Sequence, residues 1–180
     1  MPKALSGYGL GIGLLTLSGL LLNYGGLETA STNQFNLFIV LLKTYTPLLT
    51  PVSSLLGLPV IGGSQVYGIF PLMIWVGVAC IVGVVTRGLG GGAKAMFLAA
   101  STILILWIAS LFLSAPAWPD YLSWLSAANN MATDLVSRPI DLALILTLPT
   151  ASSALTGELM QLIQSKMVKR ARVEEDAYFF

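Results

Sequence analysis

Glu158 is the side chain whose type and setting argue most directly for chemistry. Beside it, Thr150, Ser153, Gly157, Gln161 and Gln164 recur at spacings of 3, 4, 4 and 3, which places them on one face of a helix. A carboxylate within an apolar run is costly in a bilayer, and its default reading is proton or ion handling. The bland expectation is that Glu158 snorkels to the interface or pairs with a cation such as Lys166, eight residues onward. Lys43 poses the same choice: a snorkelling cation, or an intramembrane ion pair with a carboxylate such as Asp141.

Other constellations fail on inspection. The run Arg87-Gly-Leu-Gly-Gly-Gly-Ala-Lys94 has the outline of a phosphate-binding loop, but the pattern needs glycine at Ala93 and a hydroxyl at Ala95. It reads instead as a flexible hairpin whose Arg87 and Lys94 can meet an anionic lipid headgroup. There is no histidine, which removes the commonest acid/base group, metal ligand and haem ligand. The single cysteine, Cys80, lies in an apolar run and reads as a small core residue. No catalytic, cofactor-binding or metal-binding residues are therefore expected, and structural lipids are the only small ligands anticipated. Nine basic against eight acidic residues leave no basic surface for a nucleic acid.

The elements that carry these residues follow from composition. Of 180 residues, 56 % are apolar and 9 % charged, with a mean hydropathy of +0.83. A soluble domain carries about 25 % charged residues, so this chain cannot cover a water-facing surface. A membrane helix needs about 20 mostly apolar residues. Charge-free runs place spans at about 8–24, 67–86 and 95–114, and a further apolar run places one at about 140–163. The first is expected to be retained, because Asn23 to Glu28 offers a poor small-residue cleavage site. In the last, Asp141 and Glu158 enclose only Leu142 to Gly157, and Pro149 is expected to kink it.

Residues 35–60 are apolar too, but contain Lys43, Pro47, Pro51 and Pro59. Prolines four residues apart remove helix donors and crowd the preceding turn. The expectation is a helix over Phe35–Tyr45 followed by a broken, re-entrant or interfacial stretch, buried in protein or lining a cavity. Residues 119–137 read as an amphipathic interfacial helix, with Trp118, Tyr121 and Trp124 at headgroup level or capping the bundle.

The fold expected is all-α: a polytopic transmembrane bundle of four spans, five if 35–60 crosses, with one or two interfacial or re-entrant helices. Residues 1–165 form the transmembrane domain and 166–180 a charged, aromatic-ended tail. With four spans and the N-terminus inside, Lys3, Arg87, Lys94, Lys166, Lys169, Arg170 and Arg172 lie inside and only Lys43 and Arg138 outside. Positive charge collects on the cytoplasmic side, so the 87–94 hairpin and the C-terminus are expected there, or on the equivalent face of an organelle.

Gly7, Gly9, Gly11 and Gly13 give two overlapping G-x-x-x-G pairs suited to close helix packing, within the bundle or against a partner. Lys169, Arg170 and Arg172 join Arg87 and Lys94 as lipid-headgroup contacts, and Tyr178, Phe179 and Phe180 read as a docking element. These features favour a non-catalytic structural or accessory subunit of a larger integral membrane complex, with other membrane subunits and lipids as partners. The alternative is a small oligomeric transporter or channel that uses Glu158 and Lys43 in a proton or ion path.

Overall fold

A computed structural model describes residues 2–24 and 36–177, with side chains for 4–24 and 36–168. These residues form α1 (Pro2–Leu22), α2 (Asn36–Tyr45), a 3-10 turn (Thr46–Leu49), α3 (Pro51–Leu55), α4 (Phe70–Thr86), α5 (Leu89–Leu113), a second 3-10 turn (Ala115–Ala117), α6 (Tyr121–Val136) and α7 (Pro139–Ala177). No strand occurs among them. Three helical stretches are long and apolar enough to cross a membrane: Ala4–Leu22, Leu89–Leu113 and Pro139–Val168.

The span expected at 67–86 is a shorter helix of 17 residues, about 26 Å at 1.5 Å per residue. Its start is delayed because Gly68 takes the left-handed conformation at φ +58 and Pro71 occupies the first turn. It ends at Arg87, also left-handed at φ 51, whose N–H donates to the Gly83 carbonyl at 3.0 Å. Then Gly88 leads directly into α5.

The α4–α5 hairpin forms the middle of the bundle, with α1 packed against both helices and α7 also packed against both. On α1 the buried residues are Gly7, Gly11, Leu15, Gly19 and Asn23; on α7 they are Asp141, Ile145, Pro149, Ser153 and Gly157. Both rows step by four, which winds slowly around a helix of 3.6 residues per turn and forms an inclined ridge for a crossing neighbour. Gly7 packs beside Thr86, Val82 and Ala95, so the start of α1 lies at the hairpin end of the bundle. Trp75 and Trp107, each 1 % exposed, anchor the core together with Leu48, Met96, Ile103 and Ile145.

The expected interfacial helix is α6. It folds back over the end of α5, where the Trp124 indole N–H donates to the Leu111 carbonyl at 3.0 Å and the ring meets Phe112 edge-on at 6.4 Å. That carbonyl belongs to the last turn of α5 and has no acceptor role within its own helix. Asp120 caps α6, accepting from the Ser123 N–H at 2.7 Å and the Ser123 hydroxyl at 2.6 Å.

The last helix continues past residue 165. It runs 39 residues, through Pro149 and on to Ala177, about 58 Å. The charged segment that reads as a separate tail is built mainly of Lys, Met, Arg, Glu and Ala, all strong helix formers, and no glycine or proline interrupts it.

Candidate functional site

The chain break at residues 46–55 organises the other end of the bundle. Pro47 and Pro51 lack backbone N–H groups, so helical hydrogen bonding cannot continue across them. The Leu48 carbonyl would look for a donor at residue 51 or 52. Pro51 has none, and the Val52 N–H is turned elsewhere. The Trp75 indole N–H fills the gap, donating to the Leu48 carbonyl at 2.7 Å. On the other side of the break, the first amides of α3 need an acceptor. Asp141, 2 % exposed at the head of α7, accepts from the Val52 N–H at 2.7 Å, the Ser53 N–H at 3.1 Å and the Ser53 hydroxyl.

Other side chains close the same region. The Trp107 indole donates to the Thr46 hydroxyl at 2.9 Å, and that hydroxyl donates in turn to the Leu42 carbonyl at 2.6 Å. Thr16 and Tyr45 join through their hydroxyls at 3.0 Å. Gly19 admits the Thr44 backbone, whose carbonyl occupies the space a Cβ would need. Thr50, at the cap position of α3, makes no capping bond, and its buried hydroxyl has no partner. The loop that follows is tied to α6 and α7 by the Gly62 N–H to Asp134 at 3.1 Å and by Arg138 to the Pro59 carbonyl at 2.7 Å.

A half-open groove of about 540 Å³ lies beside this break. Its walls come from the end of α1, from α2, from the 60–67 loop, from the link between α5 and α6, and from Met131 of α6. Ile39, Leu42, Ile61 and Trp118 are among its apolar residues, while Asn23, Lys43, Ser64 and Gln65 contribute polar groups. No Asp or Glu is among the described residues that line it.

The residues singled out in the sequence do not converge on one place. Lys43 is exposed at the groove. Glu158 is half-buried at the hairpin end, next to Gly157, where a Cβ would stand 2.8 Å from the Gly88 carbonyl. Asp141 bonds to Val52 and Ser53 instead of Lys43. Arg87 and Lys94 are exposed around the hairpin. The glycines of α1 divide: Gly7 and Gly11 pack within the chain, whereas Gly9 and Gly13 face outward with nothing within 4 Å. The side chains of Lys169, Arg170 and Arg172, and the whole of Tyr178, Phe179 and Phe180, lie outside the described residues.

Sequence reasoning missed Asp141 as the organising group. The available signal was a carboxylate two residues inside the start of a helix, in a chain whose prolines leave amides without acceptors. Comparison with known protein families, curated proteins and solved structures finds no match to this chain.

Proposed function

We propose that this chain is a non-catalytic subunit of a larger membrane assembly. In this reading four helices cross the bilayer. The fourth is Phe70–Thr86, whose 26 Å is accommodated by local thinning. The segment 36–69 enters and leaves on one side, and the 87–94 hairpin and both chain ends face the cytoplasm or its equivalent, following the positive charge.

The observation that carries the reading is the far end of α7. Gln161 reaches Gly88 at the hairpin. Past it, six of the seven side chains from Leu162 to Val168 are exposed, and the helix continues to Ala177. Leu159, Ile163 and Met167 are exposed at four-residue spacing, with Leu162 beside them, so an apolar stripe leaves the bundle with no cover from this chain. A lone helix of this length is marginal in water, and tertiary packing is what normally sustains one. A neighbouring subunit fits that need.

The interior supports the same reading. Asp141, Trp75, Trp107 and Thr46 are engaged in holding the break at 46–55 together, while the buried hydroxyls of Thr50 and Ser153 are unpaired. Lys43 and Glu158 sit at opposite ends of the bundle, which argues against one path built from both.

The test is native mass determination in mild detergent, followed by Leu162→Lys combined with Met167→Lys. Co-purifying neighbours are expected with the natural chain and lost with the variant, while the thermal midpoint of the bundle is unchanged. A lone 19.1 kDa species from native membranes overturns the proposal. Ion flux in proteoliposomes that Glu158→Gln abolishes, with assembly intact, would favour the transporter instead.

A further inference from the structure

The groove beside the chain break holds two polar groups that the fold does not use. Lys43 carries a cation into its mouth and makes no ion pair or hydrogen bond among the described residues. Asn23 is only 9 % exposed, lines the same groove, and makes no side-chain hydrogen bond among the described residues. Asp134, the carboxylate that approaches from α6, is engaged by the Gly62 N–H and is not part of the lining. The remaining wall is largely apolar, with Ile39, Leu42 and Trp118 in it.

We propose that this groove binds an anionic phospholipid, its phosphate held by the Lys43 ammonium and the Asn23 amide, and its glycerol and upper chains laid against Ile39, Leu42 and Trp118. One cation with no carboxylate beside it among the described lining residues selects a negative headgroup, an ammonium being a strong phosphate partner. The amide donates a second hydrogen bond to the same oxygens. A volume of about 540 Å³ lies within the roughly 300–1,000 Å³ of ordinary ligand sites. It accommodates a headgroup and the start of the chains, whose ends continue into the bilayer. The site is separate from the cations of the hairpin and of the last helix, and it rests on the membrane reading but not on the presence of partner subunits.

The protein is reconstituted into bilayers of phosphatidylglycerol and phosphatidylcholine with identical chains, extracted mildly, and its retained lipid counted by native mass spectrometry. One phosphatidylglycerol is expected to be retained over phosphatidylcholine by about fivefold or more, the ratio that corresponds to about 1 kcal/mol for one lysine near an anionic headgroup. Lys43→Gln abolishes the preference and Lys43→Arg keeps it. Asn23→Asp, which turns a negative charge into the groove, also abolishes it. Arg87→Gln with Lys94→Gln leaves it intact. Equal retention of both lipids by the natural chain overturns the proposal, as does a preference that survives Lys43→Gln. Displacement of the lipid by millimolar inorganic phosphate would show a site for the free ion and not for a lipid. A chain that stays monodisperse without detergent or partner would remove the membrane reading itself, an outcome distinct from the others.

Discussion

Asp141 accepts the Val52 N–H at 2.7 Å across 89 residues of sequence, and so caps a helix to which it does not belong. The residue in the ordinary capping position, Thr50, has its hydroxyl buried and unpaired. The carboxylate does from α7 what the local side chain leaves undone. Because buried backbone polar groups need partners, this contact is what permits the chain to turn at 46–55 inside the apolar bundle.

Removing Asp141 should therefore cost much more than an exposed cap would. Asp141→Ala strips the acceptor from two amides and a hydroxyl that are buried or partly buried. The expected loss is about 3 kcal/mol, since each unsatisfied buried donor costs roughly 1–3 kcal/mol. Asp141→Asn keeps a carbonyl oxygen and should lose about 1 kcal/mol. Thr50→Val, by contrast, deletes an unpaired hydroxyl and should be neutral or stabilising by up to about 1 kcal/mol. Unfolding midpoints in detergent, with hydrogen exchange at Val52 and Ser53, read all three. An Asp141→Ala chain as stable as the parent would refute the capping account.

Glycine substitutions should separate the two faces of α1 and probe the close crossings of α7 with the hairpin. A Cβ at Gly92 would stand 2.6 Å from the Ser153 carbonyl, and one at Gly157 would stand 2.8 Å from the Gly88 carbonyl. Backbone cannot yield as a side-chain tip can, so Gly92→Ala and Gly157→Ala should each destabilise by about 1–3 kcal/mol. Gly9 and Gly13 have open space around them. Their alanine variants should leave the isolated chain unchanged or stabilise it by up to about 1 kcal/mol through helix propensity. If Gly9→Ala or Gly13→Ala weakens co-purification of a neighbour while leaving the midpoint alone, that outer face is an intersubunit contact.

Much of this architecture is legible in the sequence, for reasons that differ by element. Charge-free runs locate the apolar parts of α1 and α5 and residues 142–157 of α7, because charge is costly in lipid, and Pro47 with Pro51 locates the break because neither can donate. The expected limits of 119–137 fall within two residues of α6, whose start Asp120 caps. What stays hidden is relational. Nothing near Asp141 in the chain announces Val52, and nothing in the alternation of Gly7, Gly9, Gly11 and Gly13 says which pair faces in. The helical continuation past residue 165 is written in local propensity, but the switch from basic to acidic residues masks it. The groove is the least legible feature, because Asn23, Lys43, Gln65 and Trp118 come from four separate parts of the chain.

Asp120 gives α6 a pH dependence of known sign. The Ser123 hydroxyl, and then its amide, hold the Asp120 carboxyl below the ordinary carboxylate range. A group whose folded value is depressed stabilises the fold above its unfolded value, about 3.9, and loses that contribution as pH falls through the folded value. The cap is thus intact at neutral pH and lost below about pH 4. Amides of Leu122 and Ser123 should exchange faster, relative to intrinsic rates, as pH drops through this window. In Asp120→Asn the same amides should show no such step, because the amide does not titrate.

The two core tryptophans allow the break to be tested without changing it directly. Trp75 and Trp107 are each 1 % exposed and each donates one indole hydrogen bond to the 46–49 turn. Tryptophan to phenylalanine removes the same atoms at both sites, so the difference between the two isolates what each hydrogen bond contributes. At Trp107 the acceptor is the Thr46 hydroxyl, which keeps its own bond to the Leu42 carbonyl when the indole goes. At Trp75 the acceptor is the Leu48 carbonyl, for which Pro51 has no N–H and the Val52 N–H is committed to Asp141. Trp75→Phe should leave that carbonyl unpaired and cost about 1–2 kcal/mol more than Trp107→Phe. Equal midpoints for the two variants in one detergent would mean that the Leu48 carbonyl finds another donor, and that the turn is not held from α4.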